Sequence, residues 1–295
     1  MYAMGGLLLL TIISTTALGN DNNKSDDSGD KVEKSSTDNT TKYARFLSFR
    51  RKYLSVYLII MLADWMQGTH MYTLYLSYGV NVAALFLTGF LSGAIFAPFL
   101  GSAVDKFGRK KSCIVYCILE IIINFMEHST NFEVLLFGRV LGGISTNLLF
   151  SAFESWMTTE HRKRGFPEEW LPQTYSVASV GNGVTAILAG IVAQLFEDRL
   201  GPIGPFQAVI VLTVLALLMI LPWDENYGES SNDDGSTTSL RAQFVEGWKT
   251  TYSNSFIWRI GLTQALSEGA MYTVSWDGRE CLKVLSYLMH LFLCE

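Results

Sequence analysis

The sequence predicts an all-α, polytopic membrane protein, and three observations predict it. Charged residues make up 17% of the chain and hydrophobic ones 49%, with a mean hydropathy of +0.25; an ordinary soluble domain carries about 25% charge. Six mostly apolar stretches follow one another at 53–78, 82–104, 112–128, 132–158, 171–196 and 203–222. Each approaches the ~20 residues a helix needs to cross a ~30 Å hydrocarbon core. Finally, Lys and Arg are distributed unevenly: seventeen lie in 20–52, 105–112, 159–170 and 223–255, and one, Arg199, in the loops between. The positive-inside rule makes the first set cytoplasmic, so the first full helix runs from inside to outside.

Taken in order, residues 1–19 open the chain as an apolar segment. The small residues before position 19 fit a cleavage site, and Asn23 and Asn39 head glycosylation sequons. No cation precedes the apolar run, however, and eight follow within 20–52, which favours an uncleaved extra helix with its N-terminus outside. The polar linker 20–52 comes next, and its 20–42 portion, rich in Asp, Asn, Ser, Thr and Lys, is expected to be disordered. The six-helix unit spans 53–222. A second cytoplasmic linker, 223–255, leads to a seventh helix beginning near Phe256, within a final region 256–295. Polar residues from Trp276 to Lys283 break that helix, and the apolar 285–293 that follows is too short to cross.

Composition also excludes functions. The net charge of −5 comes with no basic stripe or aromatic pattern of the kind that binds nucleic acid. Cys113 and Cys117, four apart in an apolar run, read as buried helix neighbours rather than a disulfide or zinc site; Cys281 and Cys294 complete the set. His70, His128, His161 and His290 form no metal or nucleophile spacing. No enzyme activity, cofactor or metal is expected. His161 with Arg162 to Arg164 reads as a cytoplasmic anchor.

The strongest motif closes the second full helix. Gly101, Asp105, Lys106, Gly108, Arg109, Lys110 and Lys111 stand in the pattern G-x-x-x-D-[RK]-x-G-[RK]-[RK]. Gly101 permits close helix approach, Gly108 a tight turn. Asp105 can pair with a cation or cap a helix N-terminus, and the cations hold the loop in the cytoplasm. Gly89 and Gly93 in the second helix, and Gly181, Gly183 and Gly190 in the fifth, are read as close-packing positions.

Ionisable residues inside apolar spans are functional candidates by default. Arg139 lies about 9 Å along the fourth helix at 1.5 Å per residue. It is read either as an anion or proton site or as a structural hydrogen-bond donor. Asp64 lies about 16 Å along the first helix, near the midplane, with Gln67, Gly68, Met71 and Tyr75 on its face; it is expected to line a cavity or join a buried pair. Glu154 falls near the cytoplasmic end of the fourth helix, too far along to pair with Arg139. It is read as a gate or latch within reach of the Arg109 loop. Glu120 cannot be placed from spacing alone.

The 101–111 motif and the Leu135–Gly143 stretch around Arg139 resemble the two N-terminal signatures of the major facilitator superfamily. The fifth helix lacks the glycine-proline pattern of drug–proton antiporters, which disfavours drug efflux. More specifically, eight stretches resemble the molybdate-anion transporter family: Ala63–Gly68, Val104–Cys113, Gly138–Thr146, Leu149–Trp156, Glu160–His161, Phe166–Trp170, Trp223–Tyr227 and Gln264–Glu268. The opening apolar segment fits that family too. The resemblance implies two inverted three-helix repeats and uptake of molybdate, a tetrahedral dianion, through the bilayer at the plasma membrane. Arg139 then becomes the oxyanion partner, with Gln67, Tyr75 and Asp64 beside it. The family has about twice as many helices, so this chain reads as the N-terminal half of a transporter. It would act with a second half or as a homodimer, or as a non-transporting isoform that competes with the complete form. A carrier of another small anion is the remaining reading.

Overall fold

A computed structural model describes residues 29–228 and 240–276. The expectations for 1–19, for the rest of the first linker and for 277–295 lie outside the described residues. Eight α-helices are present among the described residues: α1 (Gly29–Tyr78), α2 (Val82–Phe107), α3 (Arg109–Met126), α4 (Phe132–Lys163), α5 (Leu171–Leu200), α6 (Gly204–Ile220), α7 (Leu240–Ser253) and α8 (Ser255–Trp276). A 3-10 turn, Glu168–Trp170, leads into α5. The helix ends fall where polar caps stand. Asn81 caps α2 by accepting from Ala84 N, and Asn131 caps α4 by accepting from Glu133 N. Gly79, Gly108, Gly165 and Gly201 turn the chain at positive φ between helices.

Two linker expectations are corrected. Residues 29–52 are helical and continuous with the first full helix: polarity removed the reason to pack but not the capacity to form a helix, since no Pro interrupts α1. Likewise 240–253, expected as linker, forms α7. The chain divides into two units at Phe49/Arg50. In the first, the Tyr43 and Phe46 rings lie 5.9 Å apart. Everything below concerns the second.

Three apolar clusters hold this second unit together. One joins Val56, Ile60 and Met61 of α1 to Val104, Cys113, Cys117, Phe153 and Ile220. Another packs Ala63 and Met66 against Ala189 and Ala193 of α5 and Val209 of α6. The third gathers Leu74, Tyr75, Leu85, Leu135 and Phe206. The outer faces are equally apolar: Ile187 is 69% exposed and Val211 68%, alongside Leu87, Ile95, Phe125 and Phe150. So continuous an apolar exterior suits a lipid solvent.

By length and composition, Val82–Phe107, Phe132–Lys163 and Glu168–Leu200 can each cross a bilayer, and Gly204–Ile220 is a shorter apolar helix. The first and third expected spans form helices but do not qualify on composition. Their polar residues, Asp64, Gln67 and His70 in α1, and Glu120 and Asn124 in α3, belong to the interior.

α2 and α4 cross backbone to backbone. A Cβ on Gly143 would stand 2.5 Å from Gly93 N and 2.7 Å from Gly89 O. Ser92 Oγ donates to Val140 O at 2.7 Å and Asn147 Nδ2 to Gly93 O at 2.8 Å. Gly181 likewise lies under Leu58 of α1. Among the described residues, a Cβ at Gly101, Gly183 or Gly190 would meet nothing within 4 Å.

Candidate functional site

A cluster of interior polar groups on α1, α3 and α4 forms two neighbouring layers. Glu120, 5% exposed, is the hub of the first. Its Oε2 accepts from Gln67 Nε2 at 3.0 Å and its Oε1 from Ser145 Oγ at 2.6 Å. Asn124 Nδ2 donates to Gln67 Oε1 at 3.1 Å and to the Glu120 carbonyl at 2.8 Å. Asp64, half-buried, lies one turn before Gln67 on α1 and within electrostatic reach of Glu120. Gln67 thus bonds the Glu120 carboxylate and the Asn124 amide at once.

The second layer is built on Glu127, 1% exposed at the end of α3. Arg139 Nη2 donates to Glu127 Oε1 at 2.5 Å, and Tyr75 Oη donates to the same oxygen at 2.8 Å. Tyr78 Oη donates to the Glu127 carbonyl at 2.8 Å. Arg139 also points Nη1 at Met71 Sδ and lies 5.8 Å from the Tyr75 ring centroid, a cation–π distance. Both alternatives weighed for Arg139 therefore concern one geometry: an interior guanidinium already paired to a carboxylate. Of the residues singled out from sequence, Gln67, Tyr75 and Arg139 enter these layers and Asp64 lies one turn from Gln67. Gly68 is exposed. Glu127 was not singled out, although an acid twelve positions before Arg139 across a short helical hairpin was the available signal.

The loop motif forms a second construction at the cytoplasmic end. Arg109 Nε and Nη2 donate to Asp105 Oδ1 at 2.9 and 2.7 Å, and Nη1 reaches Ser155 O and Thr159 Oγ1. Glu154 is exposed and is not among the groups Arg109 bonds. Arg109 pairs instead with Asp105 in the last turn of α2, across Gly108, while Glu225 approaches the first turn of α3. Glu225 Oε1 accepts from Lys110 N at 2.8 Å and Oε2 from Lys111 N at 3.2 Å, capping the open N-terminus of α3. Residues 223–228 are strapped down beside it. Arg109 N donates to Asn226 O, Gly228 N to Asp105 O, and the Trp156 and Trp223 rings stack at 3.8 Å. Gly108, at φ 111°, is needed twice, since a Cβ would also stand 2.8 Å from the Glu225 carboxylate. Lys106 and Lys111 remain exposed.

Removing the Glu225 cap by Glu225→Ala is expected to cost about 1–2 kcal/mol, read as a lower unfolding midpoint in detergent. Glu225→Gln should retain part of it, keeping one acceptor oxygen. Beyond this end, Arg162 Nε donates to Glu168 Oε1 at 2.8 Å. His161, buried, bonds through Nε2 to Pro167 O at 2.9 Å, which makes it a local brace of the 164–170 loop.

Comparison with known proteins agrees with this architecture. Residues 28–284 match the profile of a family described as sugar transporters with 12 transmembrane spans. The molybdate-anion transporter of Xenopus tropicalis is 35% identical over 246 residues, covering 81% of this chain and 53% of its own length. That of Danio rerio is 33% identical over 251 residues, covering 77% and 52%. The class B tetracycline resistance protein of Escherichia coli is 26% identical over 170 residues, covering 54% and 39%. The chain spans about half the length of the molybdate-anion transporters it matches. With that profile matched over most of its length and its apolar helices in the expected order, the chain belongs to this transporter family of the major facilitator superfamily.

Proposed function

We propose that this chain supplies one helical half of a plasma-membrane carrier for a tetrahedral oxyanion, with molybdate as its substrate. The observation that carries the reading is Arg139. It is an interior guanidinium whose Nε has no hydrogen-bond partner among the described residues, and a guanidinium fork matches oxyanion geometry. The names of the relatives support molybdate over a sugar, and a neutral sugar does not call for an interior cation. Tyr75 and Gln67 supply hydroxyl and amide groups beside the site. A dianion entering a negative-inside cell is opposed by about 2.3 kcal/mol per charge per 100 mV. Proton coupling offsets this, and Asp64 is one carrier of the proton. Alternating access needs two bundles moving about a shared site. The second is either a further six helices joined to this half or another copy of the chain.

The test is cellular molybdenum, measured by elemental mass spectrometry in uptake-deficient cells. They would express this chain alone or joined to the second half of a full-length relative. The joined protein should raise molybdenum several-fold, and Arg139→Gln should abolish the rise. Equal accumulation with Arg139→Gln contradicts the reading. A rise with the short chain alone would identify a pair of copies as the working unit.

A further inference from the structure

Arg139 is held by Glu127 in a bond that leaves both partners incompletely used. Among the described residues, the Arg139 Nε and the Glu127 Oε2 are both buried without a hydrogen-bond partner, although Nη2 and Oε1 meet at 2.5 Å. A closed two-bond fork would have satisfied both. The pair therefore has one donor and one acceptor left over, inside a protein where unpaired polar groups are costly. An oxyanion can use the donor, and a proton can use the acceptor.

Charge makes these two events interdependent. The charged groups of the two layers are Asp64, Glu120 and Glu127 against Arg139. Facing Glu127 are Tyr75 and Tyr78 from α1 and Arg139 from α4. On its own helix, α3, come Glu120 two turns back and the neighbouring His128, which bonds Asn124 O and lies 3.5 Å from Gln207 of α6. Arg139 is the one permanent cation in this set. An anion brought to Arg139 while Glu127 stays ionised would place two anionic groups on one guanidinium in a poorly solvated interior.

We propose that Glu127 is a built-in competitor of the substrate anion. It occupies Arg139 while the site is empty, and it takes up a proton from water and gives up the guanidinium when an oxyanion arrives. The exchange balances: one carboxylate becomes a neutral acid, one anion replaces it on Arg139, and no covalent bond changes. The inference rests on the oxyanion reading and assigns to it a coupling acid on α3.

The test uses the purified 295-residue chain in nanodiscs with sodium molybdate, titrated at pH 6.5 to 8 in weak buffer. Wild type should take up one proton per anion bound, and its apparent Kd should rise up to tenfold per pH unit. Glu127→Gln should bind with no proton uptake and a flat pH profile. Tyr75→Phe removes one donor that stabilises the Glu127 carboxylate, so it should shift the pH at which binding weakens upward. It serves should Glu127→Gln fail to fold. Binding by wild type without proton uptake, or an unchanged proton count in Glu127→Gln, overturns the Glu127 role and leaves the oxyanion reading standing. An unshifted profile in Tyr75→Phe, used in place of Glu127→Gln, does the same. No molybdate binding at any pH, either by the wild-type chain or by wild type joined to the second half of a full-length relative, overturns both.

Discussion

Arg139→Gln should destabilise the folded chain by about 3–5 kcal/mol, the range for removing one partner of a buried ion pair. The reason is less the lost bond than what stays behind. Glu127 is 1% exposed, and Tyr75 Oη and Tyr78 Oη would be its remaining described donors, the second to its carbonyl. A carboxylate stranded there must either remain charged in a medium of low dielectric or take a proton. Unfolding of the purified chain in detergent, followed by tryptophan fluorescence, reads the effect. The double variant Arg139→Gln/Glu127→Gln should recover most of the loss, because two amides can bond to each other and no charge is left alone. If the double variant is as unstable as the single, the ion pair is not what Arg139 contributes to the fold.

Gly143→Val should be strongly destabilising although it lies outside the polar layers. At this point α2 and α4 touch backbone to backbone, with Gly93 N and Gly89 O inside the volume a Cβ would take. Neither is the end of a flexible side chain, so relief requires the helices to separate. Separation would break the bonds from Ser92 to Val140 O and from Asn147 to Gly93 O. Overpacking costs about 1–3 kcal/mol, and each lost hydrogen bond adds about 1 kcal/mol. Gly101→Val, by contrast, should be close to neutral for stability of this chain, since nothing among the described residues lies within 4 Å of its Cβ position. Equal melting temperatures for the two variants would contradict the account of the α2–α4 contact.

The helices were legible because lipid imposes one requirement on every span, an apolar exterior with its backbone bonds closed internally. Hence α2, α4 and α5 end close to where apolar character ends. Length and polarity misled in one direction. The residues of 29–52 and 240–253 look like linker because they lack an apolar stripe, yet a helix needs none when nothing is to be buried.

The site was half legible. Arg139, Gln67 and Tyr75 stand out as polar groups in apolar spans. Their partners are set by which helices lie side by side, and periodicity along one helix does not report that. Glu127 sits beside His128 at the helix end, where an acid draws no notice. Glu120 had no assignable face until Gln67 of α1 and Ser145 of α4 were placed around it. Glu154 illustrates the converse. Its distance from the Arg109 loop was acceptable, but Asp105 at i−4 and the carbonyl of Ser155 were closer acceptors for the same guanidinium.

The measurement that bears most directly on the central claim is equilibrium binding of radiolabelled molybdate to the purified chain, comparing wild type with Arg139→Lys. Lysine keeps a positive charge for Glu127 but loses the planar fork. The account predicts saturable binding by wild type, and about tenfold to a hundredfold weaker binding by Arg139→Lys, the equivalent of one charged hydrogen bond at about 1.5–3 kcal/mol. Identical isotherms for the two proteins would show that the anion does not meet Arg139 and would contradict the claim.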